Sequence, residues 1–293
     1  MRPRLIAIDI DDTLVGRDKK VGQANREAID AARAGGIEVI LVTGRRFGGS
    51  AERFVAELGL RGLTYCYCGA KVVAPDGAVD EHRPVPFDLA LRLAKFAHAA
   101  GLPLQAHVDE VMYSEPSAER VYEMIRRDGV PMAPQHLVPD LAELLLTEMR
   151  PPTQMVPFGW EAVQAFQAEF GGMSAGEEAG PDTGEYGPLQ MYIHDVGTPS
   201  CRMTIIKGGV NKGEALARHC RRFGYERGEV AAFGDGSLDG SMIRWAGFGV
   251  AMENAPDWVK TAAQLVVPFS EEAVAMVVDR LLNAGKSPRR QNR

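Results

Sequence analysis

Short apolar runs alternating with helical periodicity set the frame of this chain. Residues 5–10 (LIAIDI) read as a buried strand. Residues 25–34 carry a helical spacing that stops at Gly35-Gly36, where a C-terminal cap is expected. Residues 37–42 form a second β-branched run and residues 63–67 a third. Strand, helix and strand repeated in this way predict a parallel sheet with helices on both faces.

From about residue 83 the grammar changes. Helical patterns over 88–100, 117–127 and 160–170 are separated by extended pieces near 104–108, 154–158, 189–194 and 203–206. This predicts an α+β insert with its own sheet. Residues 171–188 are rich in Gly, Pro and acids and read as a long loop, a feature uncommon unless functional or mobile. The segment KGGVNKG at 207–213 leads back into a helix over 212–223, and runs at 230–233, 248–252 and 264–267 restore the first pattern. The predicted fold class is α/β: a Rossmann-like parallel-sheet core of residues 1–83 and 208–293, interrupted by a second α+β domain at 84–207. No internal repeat is present.

Composition narrows the class of partner. Of 293 residues, 45% are hydrophobic and 25% charged, enough apolar material for two cores. The net charge of −6 gives no ground for nucleic-acid or membrane-surface binding. The N-terminus starts basic like a signal peptide, but Asp9, Asp11 and Asp12 break its apolar run, and no other segment is long and apolar enough for a span. A cytoplasmic location is expected, with a solvated basic tail at 285–293. Cys66 and Cys68, two apart in an apolar run, are expected on one face of a strand. With Cys201 and Cys220 they make no zinc spacing, and the set suits a reducing compartment.

Three apolar strands end in residues capable of chemistry: Asp9-Ile10-Asp11-Asp12-Thr13, then Thr43-Gly44-Arg45, then Gly234-Asp235-Gly236. Ligand crevices in open α/β sheets lie outside the carboxyl ends of strands, so these ends can converge. A carboxylate such as Asp9 is competent to attack phosphorus. Asp11 could protonate a leaving oxygen and later deprotonate water. Asp235 could share a Mg²⁺, which prefers hard oxygen ligands. Lys212, opening a helix, could neutralise phosphoryl oxygens held by the Thr43 hydroxyl and nearby N–H groups. Taken singly, each has a plainer reading: a DxD is a turn or N-cap, Thr43 a strand end, Lys212 a surface lysine, GDGSLD a glycine-rich turn. Arg45 could contact substrate or pair with a surface acid. Asn254 could order the loop near Asp235 or serve a turn, and His107 with Asp109 could reach toward the site. The ordered set DxDxT, TGR, NKG and GDxxxD is what favours one site.

That set resembles the haloacid dehalogenase superfamily, in its Cof-type subgroup with a large α/β cap. The similarity runs through DIDDTL at 9–14, VTGR at 42–45, GGVNKGEAL at 208–216, GDGSLD at 234–239 and GVAMENA at 249–255. It implies a Mg²⁺-dependent phosphatase of small phosphorylated metabolites, sugar phosphates or phosphorylated cofactors. Asp9 would be the nucleophile and Asp11 the general acid/base. Thr43, Gly44, Arg45 and Lys212 would bind phosphate. Asp9, Asp235 and the Asp11 carbonyl would hold the metal, with Asp239 as support or further ligand. The partner is then a small phosphate ester, with no nucleic acid and no membrane; the sequence sets no oligomeric state. The same intermediate would serve a phosphomutase, and a non-catalytic metabolite-binding regulator could keep the fold. Three positions depart from the pattern: Asp12 stands where many relatives have glycine, and Cys68 and Leu238 where they commonly have asparagine. The two lost amides remove hydrogen-bonding groups.

Overall fold

The computed structural model describes residues 3–16, 18–119, 123, 135–174, 176, 178, 180–182, 186–198 and 200–283. It divides into two compact units: Met1–Asp80 with Gly180–Asp182 and Asn211–Arg293, and Glu81–Ala179 with Thr183–Val210.

The first unit opens with β1 (Leu5–Ile8), α1 (Gln23–Ala34) and β2 (Glu38–Leu41), then α2 (Glu52–Glu57), β3 (Thr64–Cys66), β4 (Lys71–Val73) and β5 (Val79–His82), whose last two residues are counted with the second unit. All four residues of β1 are buried, as expected of a strand covered on both faces. α1 stops at Gly35, and Gly36 takes a positive φ of 79°. β3, β4 and β5 form a small separate sheet whose first pair is antiparallel. The sequence pattern showed only the first of these strands.

The second unit holds α3 (Phe87–Ala100), β6 (Leu104–Val108), β7 (Val111–Ser114), β8 (His136–Leu137), α4 (Leu141–Glu148), β9 (Gln154–Pro157), α5 (Trp160–Phe170), β10 (Leu189–His194) and β11 (Arg202–Lys207). Its six strands run in the order β10-β11-β9-β6-β7-β8, antiparallel except between β7 and β8. The helices supply Leu93, Leu145 and Phe166 to one apolar core, in which Phe96 meets Phe166 and Phe170 edge-on. Most of the helix expected over 117–127 lies outside the described residues, as do the basic tail and parts of 171–188.

The chain returns to the first unit through α6 (Lys212–Phe223), β12 (Val230–Gly234), α7 (Gly240–Trp245), β13 (Phe248–Met252), α8 (Asp257–Ala262), β14 (Leu265–Val267) and α9 (Ala273–Asn283). The main sheet has the order β14-β13-β12-β1-β2, and every pair in it is parallel. α9, which the sequence reading left unassigned, packs on α1. One buried amide ties them. Asn25 donates from Nδ2 to the Leu14 carbonyl at 3.2 Å and accepts the Ala275 N–H at 2.9 Å, so it satisfies a first-turn donor of α9 that has no intrahelical partner.

Asn25→Leu keeps volume and strands both groups. Each buried unsatisfied group costs about 1–3 kcal/mol, so stability should fall by roughly 2–6 kcal/mol in urea unfolding. An unchanged midpoint would remove this tie from the account.

Candidate active site

β1 and β12 lie side by side with Ile8 opposite Phe233, and the Asp9 N–H donates to the Phe233 carbonyl at 3.0 Å. From this pair the sheet grows outward both ways, to β2 on one side and to β13 and β14 on the other. This is the switch point at which open α/β sheets leave a crevice. Asp9 and Asp235 are carried by the two carboxyl ends that flank it.

Lys212 arrives from the start of α6. Asn211 before it caps the helix, its Oδ1 accepting the Glu214 N–H at 2.8 Å. The Lys212 ammonium is 2% exposed and donates to Asp9 Oδ1 and Asp239 Oδ1, each at 2.5 Å. Asp239 Oδ2 accepts the N–H groups of Asp235 at 3.0 Å and Gly236 at 2.8 Å. This turn needs glycine at 234, where a Cβ would lie 2.3 Å from Asp239 Cβ. Asp235 is held from both sides, by the Thr13 hydroxyl at 3.2 Å and the Asn254 amide at 3.0 Å. Of the two roles left open for Asn254, the structure favours the contact with Asp235.

Asp9, Asp235 and Asp239 bring ligand oxygens within 4.8 Å of one another. Lys212 sets one positive charge against these three carboxylates. Burial pushes Asp9 well above the usual carboxylate value, and Asp239 and Asp235 add to the rise although Lys212 opposes it. Burial and the Asp239 charge push Asp235 up to about 7. Burial alone would lower Lys212, but Asp239 and Asp9 together raise it. A cluster of hard oxygens with too little positive charge fits a divalent cation. Asp239 has both oxygens engaged by charged or backbone donors, and Asp235 has both engaged by the neutral Thr13 and Asn254 side chains. Asp9 gives only Oδ1 to Lys212, which leaves its second oxygen as the freest donor.

Asp11 lies in a different environment. Arg45 binds it through two bonds of 2.6 Å, Nε to Oδ2 and Nη2 to Oδ1, and Lys19 adds a third at 2.8 Å. Burial works to raise Asp11, but the bonds from Arg45 and Lys19 outweigh it and hold the carboxyl at about 2. Arg45 therefore pairs with an acid in this structure. Lys19 was missed by the sequence reading, since nothing in GRDKKVG marks it.

The Thr43-Gly44-Arg45 turn is stitched to the segment after β3. Thr43 N–H donates to the Tyr65 carbonyl at 2.8 Å, Cys68 N–H to the Thr43 carbonyl at 2.9 Å, and Tyr67 N–H to the Arg45 carbonyl at 3.0 Å. The Thr43 hydroxyl accepts the Arg45 N–H at 3.2 Å. Cys66 and Cys68 do not share a strand face as expected. β3 ends at Cys66, and Tyr67 and Cys68 turn back with φ of 50° and 58°. Asp12 also has a positive φ, 52°, a conformation Asp tolerates better than most residues. His107 and Asp109 pair inside the second unit, with Gln105 at 2.7 Å and Arg150 at 2.7 Å. A second group there, His98, Glu115 and Asp140, is occupied structurally: Glu115 accepts from His98 and the Leu141 N–H, and Asp140 caps α4.

A family model described as haloacid dehalogenase-like hydrolase matches residues 6–138 and 192–278. The chain belongs to that family of hydrolases. It is 29% identical over 275 residues to pyridoxal phosphate phosphatase YbhA of Escherichia coli, covering 91% of this chain and 94% of that protein. To phosphatase YwpJ of Bacillus subtilis it is 25% identical over 301 residues, covering 95% and 100%. The crystal structure of a haloacid dehalogenase-like hydrolase from Bacteroides thetaiotaomicron matches with a TM-score of 0.74 and 23% identity, covering 95% of this chain and 99% of that one. Among the described residues no helix is long and apolar enough to cross a membrane.

The raised carboxyls make cation binding proton-linked. Without a cation, Asp235 keeps its proton up to about pH 7 when folded and only to about 3.8 when unfolded. The folded state then binds more protons between these values, so this group's contribution to stability falls as pH rises through them. A cation needs the ionised form and releases the proton. The rise in Tm on adding a divalent cation should therefore grow from pH 5 to pH 8, and the growth should shrink in Asp235→Asn. A rise independent of pH would contradict the charge balance described.

Proposed function

We propose that this hydrolase is a Mg²⁺-dependent phosphatase of small phosphate monoesters that works through an aspartyl-phosphate on Asp9. The observation that carries the reading is the buried Lys212 ammonium bridging Asp9 and Asp239 beside Asp235. In it, one carboxylate is desolvated at a strand end next to positive charge, as a nucleophile toward phosphorus requires. Phosphatases among the relatives, one of them named for pyridoxal phosphate, support the same class.

In this reading a free Asp9 oxygen bonds to phosphorus as the ester P–O bond breaks, and the leaving oxygen takes a proton from Asp11. Water then attacks the aspartyl-phosphate and returns a proton to Asp11, and the Asp9–P bond breaks to release phosphate. Lys212, the Thr43 hydroxyl and the Gly44 N–H take up charge on the phosphoryl oxygens. Asp9, Asp235 and the Asp11 carbonyl would hold Mg²⁺, with Asp239 anchoring Lys212 and the turn. Bound there, Mg²⁺ would offset repulsion between the Asp9 carboxylate and the phosphoryl group. Asp11 as seen here can only accept a proton, so donation requires Arg45 to leave it. An arriving phosphoryl dianion is a competing partner for that guanidinium. The second unit is assigned as the cap that selects the substrate.

Phosphate release should be measured with and without Mg²⁺ across sugar phosphates, nucleotides, pyridoxal phosphate and flavin mononucleotide. Release from at least one ester should depend on Mg²⁺ and fall by about 10³-fold or more in Asp9→Asn. Cation-independent release, or full activity in Asp9→Asn, would end the reading.

A further inference from the structure

The charged site has one apolar corner. A Cβ placed on Gly44 would lie 3.4 Å from Leu238 Cδ1 and 3.9 Å from Cys68 Sγ. Three elements therefore meet here: the turn after β2, the turn after β3 and the 3₁₀ turn Ser237–Asp239 after β12. Cys68 is 1% exposed, and burial pushes its thiol up to about 12, so it behaves as a small neutral hydrophobe. Gly44 contributes no side chain. Leu238 is only half-buried. Its backbone position is set by the turn, because Asp239 next to it is pinned by the Asp235 and Gly236 N–H groups and by Lys212. The remaining side chains named at the site, from Asp9, Asp11, Thr13, Thr43, Arg45, Lys212, Asp235, Asp239 and Asn254, are polar or charged. A ligand group set against the Leu238 and Cys68 side chains meets hydrocarbon and a neutral thiol, and a hydroxyl held there loses hydrogen bonds to water. A hydrocarbon group loses nothing and gains burial.

Resting on the phosphatase reading, we propose that Leu238, backed by Gly44 and Cys68, is a specificity-determining residue. It favours phosphate esters whose alcohol is hydrocarbon beside the phosphate over esters of polyhydroxylated alcohols. Benzyl phosphate and glycerol 1-phosphate, both esters of primary alcohols, test this in the full chain with Mg²⁺. The kcat/KM ratio should favour benzyl phosphate, and Leu238→Asn should lower that ratio by about tenfold or more. Leu238→Met should keep the preference. An unchanged ratio in Leu238→Asn, or a wild-type preference for the glycerol ester, overturns the proposal.

Dissociation constants for benzylphosphonate and 2-hydroxyethylphosphonate, read by calorimetry in the wild type and Leu238→Met, Leu238→Ala and Leu238→Asn, give the ratio without turnover. If no ester is hydrolysed, the phosphatase reading fails. The phosphonate ratio still decides the selectivity: it should favour benzylphosphonate, hold in Leu238→Met and drop in Leu238→Ala and Leu238→Asn, and a ratio equal in all four proteins overturns the proposal. If an esterolytic Leu238→Asn variant misfolds, Leu238→Ala stands in for it.

Discussion

The structure of the first unit hinges on one buried ammonium shared by two carboxylates. Lys212 is almost fully enclosed, and Asp9 and Asp239 are its partners at 2.5 Å. A buried charge stripped of its partner is worth several kcal/mol of destabilisation, so the three side chains stand or fall together. They come from β1, the start of α6 and the turn after β12, and the last two are held by local devices. Asn211 caps the helix, and Gly213 lets α6 approach Ser241, whose carbonyl would lie 2.6 Å from an added Cβ. Gly234 lets Asp239 fold back. These residues serve the charge geometry more than the core, since none adds much apolar burial.

Much of this was legible in the chain because polar residues at the ends of buried strands leave a clear mark. The parallel core followed from β-branched runs alternating with helical spacing, and the strand ends that carry Asp9, Thr43 and Asp235 followed from where those runs stop. The parts that were not legible share a physical cause. β4, β7 and β8 are two to four residues long and lie in sheets where cross-strand pairing, rather than their own pattern, makes them strands. α9 packs on α1, and its Ala275 N–H is satisfied by Asn25, 250 positions away in sequence. Cys68 looked like a strand residue because its neighbours are apolar, yet its left-handed backbone is imposed by the bond from its N–H to Thr43.

Lys19 shows the same limit at the site. Its contact with Asp11 spans a turn of eight positions, and a lysine in a polar loop carries no spacing signal. Arg45 was marked by its motif, but whether it faces substrate or an acid is a matter of side-chain reach. Geometry settles it for this state: two parallel bonds to one carboxylate, the arrangement in which a guanidinium is strongest.

Asp9 and Asp11 are two residues apart and shifted in opposite directions, one by burial among acids and the other by two cations. Divergent shifts of neighbouring carboxyls are how a site separates an acid from a base. In the proposed mechanism Asp9 must be ionised to attack and Asp11 must carry a proton to give, and both shifts run against that need. Two changes in charge are needed to invert them: more positive charge beside Asp9 and Asp235, and an anion that competes with Asp11 for Arg45. In that proposal a phosphate ester and its counter-ion would bring both together. On that proposal, the excess of three buried carboxylates over one lysine would be relieved only when those charges are present.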